Sequence, residues 1–152
     1  MNVTRFLKRS RGQSLVEFAL VLPMLMILIF GVIDFGMALR SYITLTNATR
    51  EGGRYAAIGN PAGAYPADCT TLTNTTVIGR VCTGMEGLDL DEGLQSVSVT
   101  YPTGQAPGNE VVVSADYTYE YITPLGDMAD FFSAGSFPDN IGLSTSTSMR
   151  LE

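Results

Sequence analysis

The strongest pattern in the chain is an apolar stretch near its N-terminus. From Leu15 to Ile33 only Glu17 carries a charge, and at about 1.5 Å per residue this segment makes roughly 28 Å of helix. That length matches the hydrocarbon core of a bilayer, which is about 30 Å thick. A cleaved secretory signal is the alternative, but such a signal has a shorter apolar core followed by a small-residue cleavage site, and no such site follows here. The pattern therefore predicts a membrane-spanning helix that stays in the protein.

Beyond this stretch the apolar positions keep a helical spacing as far as Gly59. One face carries Tyr42, Leu45, Thr49, Gly52 and Ala56, and the opposite face carries Arg40, Thr44, Asn47, Glu51 and Arg54. We expect the first face to be covered by the C-terminal half of the chain. Gly52-Gly53 weakens a helix by roughly 2 kcal/mol, so this pair alternatively marks a frayed end. Gly59-Asn60-Pro61 terminates the helix, because proline cannot continue the hydrogen-bond ladder.

The C-terminal half changes to a period of two in three segments, Leu94–Tyr101, Glu110–Ile122 and Ile141–Leu151. Alternation of this kind predicts strands, and residues 102–109, rich in Pro and Gly, predict a hairpin loop. We expect an antiparallel sheet with one face on the long helix and the other partly in water. The tyrosine row of the second strand, Tyr117, Tyr119 and Tyr121, is expected on the helix side.

Weaker patterns predict a loop over residues 60–68, a short helix over residues 71–82, and a short helix or turn over residues 124–132 with Pro124 at its first position. The fold class is therefore α+β. A long N-terminal helix, first transmembrane and then amphipathic, packs on a small antiparallel sheet of about three strands.

Charge predicts the orientation in the membrane. Arg5, Lys8, Arg9 and Arg11 precede Gly12 without any acidic residue, which places the N-terminus in the cytoplasm by the positive-inside rule. Everything after about Asp34 then lies outside the inner membrane, in the periplasm or beyond. Without the four leading basic residues the chain carries 5 basic and 15 acidic residues, and this balance argues against nucleic-acid binding.

The composition also argues against catalysis. The chain has no histidine, which excludes His-based triads and the commonest zinc ligand sets. Walker, nucleophile-elbow and dinucleotide-binding motifs are missing from the sequence. We therefore predict a protein that is not an enzyme and has no cofactor, no metal and no catalytic residue. Cys69 and Cys82 are expected to form one disulfide in an oxidising compartment, with two buried free thiols as the alternative.

Three residues of the apolar helix need a physical reason. Glu17 is costly just inside a membrane unless it reaches the headgroups or finds a partner. Pro23 frees the Ala19 carbonyl, so we expect a kink or local melting there. Asp34 is expected at the outer interface, with Arg40 and the headgroups beyond it, and contact with a partner stays open.

The order of Gly12, Glu17 and the apolar run resembles the class III signal of type IV pilin and pseudopilin precursors. The resemblance implies that a prepilin peptidase cuts between Gly12 and Gln13, so that Glu17 becomes the fifth residue of the mature chain. It also implies that the Glu17 carboxylate meets the N-terminal ammonium of a neighbouring subunit, which relieves two charges that are costly in lipid.

Three segments narrow the resemblance further, namely residues 11–23, residues 31–36 and residues 47–57. Together, from Arg11-Gly12-Gln13 to Tyr55-Ala56-Ala57, they resemble the TadE-like family, the pseudopilins of Tad (tight adherence, type IVc) pilus systems. The implied organisation is a leader over residues 1–12 and a transmembrane and filament helix over 13–39. A helix continuation over 40–59 and a small exported α+β domain over 60–152 follow, in a pilin-like fold.

The resemblance implies a minor pilin that primes or caps a Tad pilus and so takes part in surface adhesion. Its implied partners are other pilins through residues 13–40, the prepilin peptidase, the inner-membrane assembly platform of the Tad system and membrane lipid. The alternative is a single-pass inner-membrane anchor whose outer domain binds an envelope partner or ligand without entering a filament.

Overall fold

The computed structural model describes residues 7–152, except for the side chains of residues 7–11 and of Phe132. Residues 1–6 of the predicted leader, with Arg5 of the basic flank, lie outside the described residues. Over the described part the elements are α1 (Leu7–Ala57), α2 (Ala67–Thr70), α3 (Val77–Gly84), β1 (Leu94–Thr100), β2 (Glu110–Glu120), α4 (Leu125–Ser133) and β3 (Asn140–Arg150).

These elements form two compact units. The helix unit comprises α1 as far as Gly36 together with Tyr121–Pro138. The sheet unit comprises Met37–Glu120 together with Asp139–Glu152. The sequence pattern placed residues 121–138 in the exported domain, whereas the structure groups this segment with the apolar part of α1.

The sheet unit confirms the α+β fold class. Its strands pair antiparallel in the order β1-β2-β3, with Val97 opposite Ala115 and Val113 opposite Thr147. Alternate residues of β2 are buried, namely Val111, Val113, Ala115, Tyr117 and Tyr119. This face packs on the part of α1 that belongs to the same unit, because Gly52 of the helix lies against Val113. The tyrosines Tyr117 and Tyr119 are therefore core residues, as predicted.

The glycine pair of α1 permits close packing and does not mark a frayed helix end. Gly52 and Gly53 are both buried within the helix. A Cβ on Gly52 would run into the Val81 side chain of α3, and one on Gly53 would lie 3.4 Å from Thr147 Cγ2 of β3. The helix-weakening effect of the two glycines is offset because α3 and β3 approach the helix backbone here. The helix then ends at Ala57, and Gly59 follows with a φ of 81°.

The covered stripe of α1 differs from its prediction at Tyr42, which is exposed. Ser41 is buried instead, and its hydroxyl donates to the Met37 carbonyl at 3.2 Å. Ala38, Ser41, Leu45, Ala48 and Gly52 form the stripe with the spacing of one helix face. Back-bonding to the preceding turn lets a serine occupy a buried position that its polarity alone argues against.

The predicted helix over residues 71–82 was wrong in its bounds. The chain instead forms the four-residue helix α2 and then α3, which begins at Val77. Thr76 caps α3, since its hydroxyl accepts from the Gly79 amide at 3.1 Å. The same hydroxyl donates to the Asp68 carboxylate at 2.8 Å. The threonine run thus supplies a cap rather than helix interior, in keeping with the preference of threonine for that position.

Cys69 of α2 and Cys82 of α3 are joined by a disulfide, with their Cα atoms 5.2 Å apart. Both residues are buried. Closing this loop, with a sequence separation of 13, contributes about 3 kcal/mol in the chain-entropy model. The bond therefore fixes α2, which has only one helical turn, to the longer α3.

The outer face of the sheet is rich in hydroxyl groups. Ser96 donates to the Asp116 carboxylate at 2.7 Å. Hydrogen bonds from Ser96 and then Ser144 hold the pKa of Asp116 below its ordinary value. A lowered pKa stabilises the folded state above the pKa of the unfolded chain, and this stabilisation is lost as the pH falls through the folded pKa. The effect is small, because Asp116 is exposed.

Candidate functional site

The candidate site is the apolar surface of α1 in the helix unit. Each residue from 12 to 22 is exposed, and large apolar side chains stay exposed as far as Phe35. Within the described residues, α1 is the one helix long and apolar enough to cross a membrane. An apolar surface of this extent is a place for lipid or for other helices, because it is much larger than the patches tolerated in water.

Gly12 and Gln13 lie at the start of this surface. No described atom approaches within 4 Å of the point where a Cβ on Gly12 would sit, apart from the local helix backbone. The packing therefore gives no reason for glycine at this position.

Glu17 is exposed on the same surface. Its carboxylate accepts a hydrogen bond from the side-chain amide of Gln13 at 3.2 Å. The two residues are one helical turn apart, so the Glu17 side chain, which leans toward the helix N-terminus, lies on the same face as Gln13. Within one chain this geometry gives the carboxylate a weak neutral partner and leaves it accessible to an ammonium group.

Pro23 does not interrupt α1, because the helix is continuous from Leu7 to Ala57. Local melting, one of the two expected effects, was therefore wrong. The pyrrolidine ring is half-buried and lines a pocket of about 290 Å³ together with Asp127, Met128 and Phe131 of α4. Pro23 and α4 thus form two walls of one pocket within the helix unit.

Among the described charged side chains of the helix unit, Asp34 is the most deeply buried, with 1% of its surface exposed. One carboxylate oxygen accepts the Ile122 amide at 2.9 Å and the Thr123 amide at 3.4 Å. The other oxygen accepts the Thr123 hydroxyl. The sequence placed Asp34 at the outer interface and did not identify this partner, since the two segments are 88 residues apart.

We call this arrangement the Asp34 clasp, formed by Asp34, Ile122 and Thr123. Its amides belong to the connection between β2 and α4, where neither strand nor helix satisfies them. A carboxylate is the strongest acceptor that a side chain offers to such donors. The signal in the sequence was a lone acid at the end of an apolar run, and it indicated the position without indicating the partner.

Glu51 of α1 also has a partner that the helical pattern did not indicate. Glu51 is half-buried, and its carboxylate forms an ion pair with the Arg80 guanidinium of α3, with 3.0 Å between nitrogen and oxygen. The same guanidinium lies 6.0 Å from the centre of the Tyr55 ring. Arg54 lies 4.0 Å from the other Glu51 oxygen. Partly exposed pairs of this kind contribute up to about 1 kcal/mol, so Glu51 mainly orients α3 on the helix within the sheet unit.

The sequence profile of the family described as TadE-like protein matches residues 12–54. The matched segment lies wholly in α1 and contains Gly12, Glu17, Pro23, Asp34 and the Gly52-Gly53 pair. No curated protein and no solved structure matches the chain. The TadE-like resemblance is thereby confirmed, and it rests on the helix rather than on the sheet unit.

Proposed function

We propose that this chain, whose residues 12–54 match the family of TadE-like proteins, is a non-catalytic minor pilin of a Tad pilus. The observation that carries the proposal is the exposed apolar surface of α1 from Gly12 onward, with Glu17 accessible on it. A single-pass anchor in the inner membrane uses this surface for lipid. A filament uses the same surface for the helices of neighbouring pilins, over residues 13–40.

Processing comes first in this proposal. The prepilin peptidase cuts between Gly12 and Gln13 on the cytoplasmic side, and the new ammonium group starts the helix. Glu17 of one subunit then pairs with the ammonium group of the next, and the positive end of the helix dipole favours the carboxylate nearby. The proposed site where the helix leaves the lipid and joins the filament is the inner-membrane assembly platform of the Tad system.

The test of processing is the mass of the membrane form. In a strain with its prepilin peptidase we expect a chain that begins at Gln13, and in a strain without the peptidase a chain that retains the leader. Mass spectrometry of the intact protein and of its N-terminal peptide distinguishes the two. Full-length protein in both strains would contradict the leader assignment and leave Gly12 without a role.

We further propose that the protein primes or caps the pilus and so contributes to surface adhesion. The sheet unit presents a hydroxyl-rich face outward, which suits display to solvent or to a surface. Immuno-electron microscopy of purified pili should then show label at one end of the filament. A tagged major pilin serves as the control that marks the shaft, and label of this protein along the shaft would contradict the priming or capping role.

A further inference from the structure

The segment Tyr121–Pro138 runs back along the apolar part of α1 within the helix unit. Its beginning is held at Asp34 through Thr123, and further along the segment Phe131 shares a pocket with Pro23. Eleven residues separate Pro23 from Asp34 along α1, which is about 16 Å of helix. Because Pro23 lies near the middle of the apolar stretch, α4 extends from its outer edge toward its centre.

The exposed side chains of this segment include large apolar ones beside the polar Asp127, Ser133 and Ser136. Phe131 is 84% exposed and Ile122 is 65% exposed, and residues 121–138 contain no lysine or arginine. Phe131 adjoins an α1 surface that is itself apolar and exposed. In water so exposed a phenylalanine would enlarge that apolar surface, since only area removed from water contributes hydrophobic stabilisation.

We propose that α4 is a lipid-contacting element that enters the outer leaflet beside α1, with Phe131 among the acyl chains. The occupant of this surface is the bilayer itself, because the surface is continuous with the membrane-spanning face of α1. The inference rests on the membrane anchoring in the proposed function and adds a second element to it. The connection between β2 and β3 is then a membrane contact rather than a surface loop.

The carboxylates of the segment set its depth. A charged aspartate is most costly at the bilayer centre, and the cost falls toward the interface. Asp127, in the first turn of α4, is exposed and also lines the Pro23 pocket, so its charge requires this turn to lie toward the headgroups. Asp130 accepts the Phe137 amide at 3.0 Å. The clasp removes the Asp34 carboxylate from lipid in the same way, so α4 suits the outer half of the bilayer.

The chain has no tryptophan, so a single introduced tryptophan reports its own surroundings. The experiment uses full-length Phe131→Trp protein in phosphatidylcholine vesicles whose acyl chains are brominated, compared with unbrominated vesicles. Leu28→Trp, exposed on α1, is the membrane reference. Ile58→Trp, exposed in the sheet unit, is the aqueous reference. Each substitution replaces an exposed apolar side chain, so none of them disturbs the core.

We expect brominated lipid to quench Phe131→Trp as strongly as Leu28→Trp, and aqueous acrylamide to quench Ile58→Trp more than either. If Leu28→Trp is quenched by the lipid while Phe131→Trp responds only to acrylamide, the inference is overturned and the anchor stands. If neither is quenched by brominated lipid, membrane anchoring fails and the inference falls with it. These two failures give different patterns, so the inference and the proposed function are separated.

Discussion

Replacing Glu17 by alanine is expected to abolish piliation while the protein still accumulates in the membrane. The alanine variant keeps the apolar surface that anchors the helix, so insertion should be unchanged. In the filament it leaves the ammonium group of a neighbouring subunit buried without a partner. Removing one member of a buried charge pair costs about 3–5 kcal/mol, which lowers an association constant more than about a hundredfold. Electron microscopy of sheared pili and immunoblots of the membrane fraction measure the two quantities separately.

Matched substitutions at the same position test whether the charge is responsible. Glu17→Asp keeps the charge on a shorter side chain and should retain part of the piliation. Glu17→Gln keeps the shape and the hydrogen bond from Gln13 but should behave like Glu17→Ala. The rival function, an anchor that never enters a filament, expects all three variants to act as the parent does. Normal piliation in Glu17→Ala would favour that rival.

Replacing Asp34 by alanine is expected to release the segment Tyr121–Pro138 from the helix unit. The amides of Ile122 and Thr123 and the Thr123 hydroxyl would lose their buried acceptor. Leaving partly buried donors of this kind unsatisfied costs about 1–3 kcal/mol, which is up to a little over a hundredfold in the equilibrium for local opening. Hydrogen exchange of the full-length protein in lipid nanodiscs, followed by mass spectrometry, reports this opening peptide by peptide.

Two variants control for the loss of a negative charge and for the shape of the side chain. Asp127→Ala removes an exposed carboxylate from the same segment and should leave the exchange at Ile122 and Thr123 unchanged. Asp34→Asn keeps one acceptor oxygen and should give an intermediate rate. Peptides from the sheet unit should exchange as in the parent for every variant. Unaltered protection of residues 121–124 in Asp34→Ala would show that the clasp does not hold the segment.

Local patterns predicted the elements with strong periodicity. The strands were correct to within one or two residues, because alternation over 7 to 11 residues has one stable interpretation beside a hydrophobic core. The prediction of helix over the threonine-rich residues before Val77 was wrong, because a threonine in that position caps a helix as readily as it extends a weak one. The difference depended on Asp68, whose carboxylate meets Thr76 only after the chain has folded back.

Some residues of the candidate site could be identified from the sequence, whereas their partners could not. Gly12, Glu17 and the length of the apolar run are visible in the linear order of residues, since the cost of a charge in lipid depends on depth and depth follows from position along a helix. Their roles in processing and assembly stay predictions until the experiments above are made. The partners of Asp34 and Glu51 could not be predicted, because each lies in a distant segment that no local period brings near.

Short-range spacing was enough to predict the long apolar helix and the three antiparallel strands. The cost of burying charge was enough to single out the acid near the start of the helix. The folded chain was needed to find that Gly52 and Gly53 admit α3 and β3, that Asp34 clasps the connection after β2, and that α4 and Pro23 line one pocket. Those arrangements depend on which distant surfaces fill the same space. Close packing selects among them, and the pattern along a single segment carries no information about its partner.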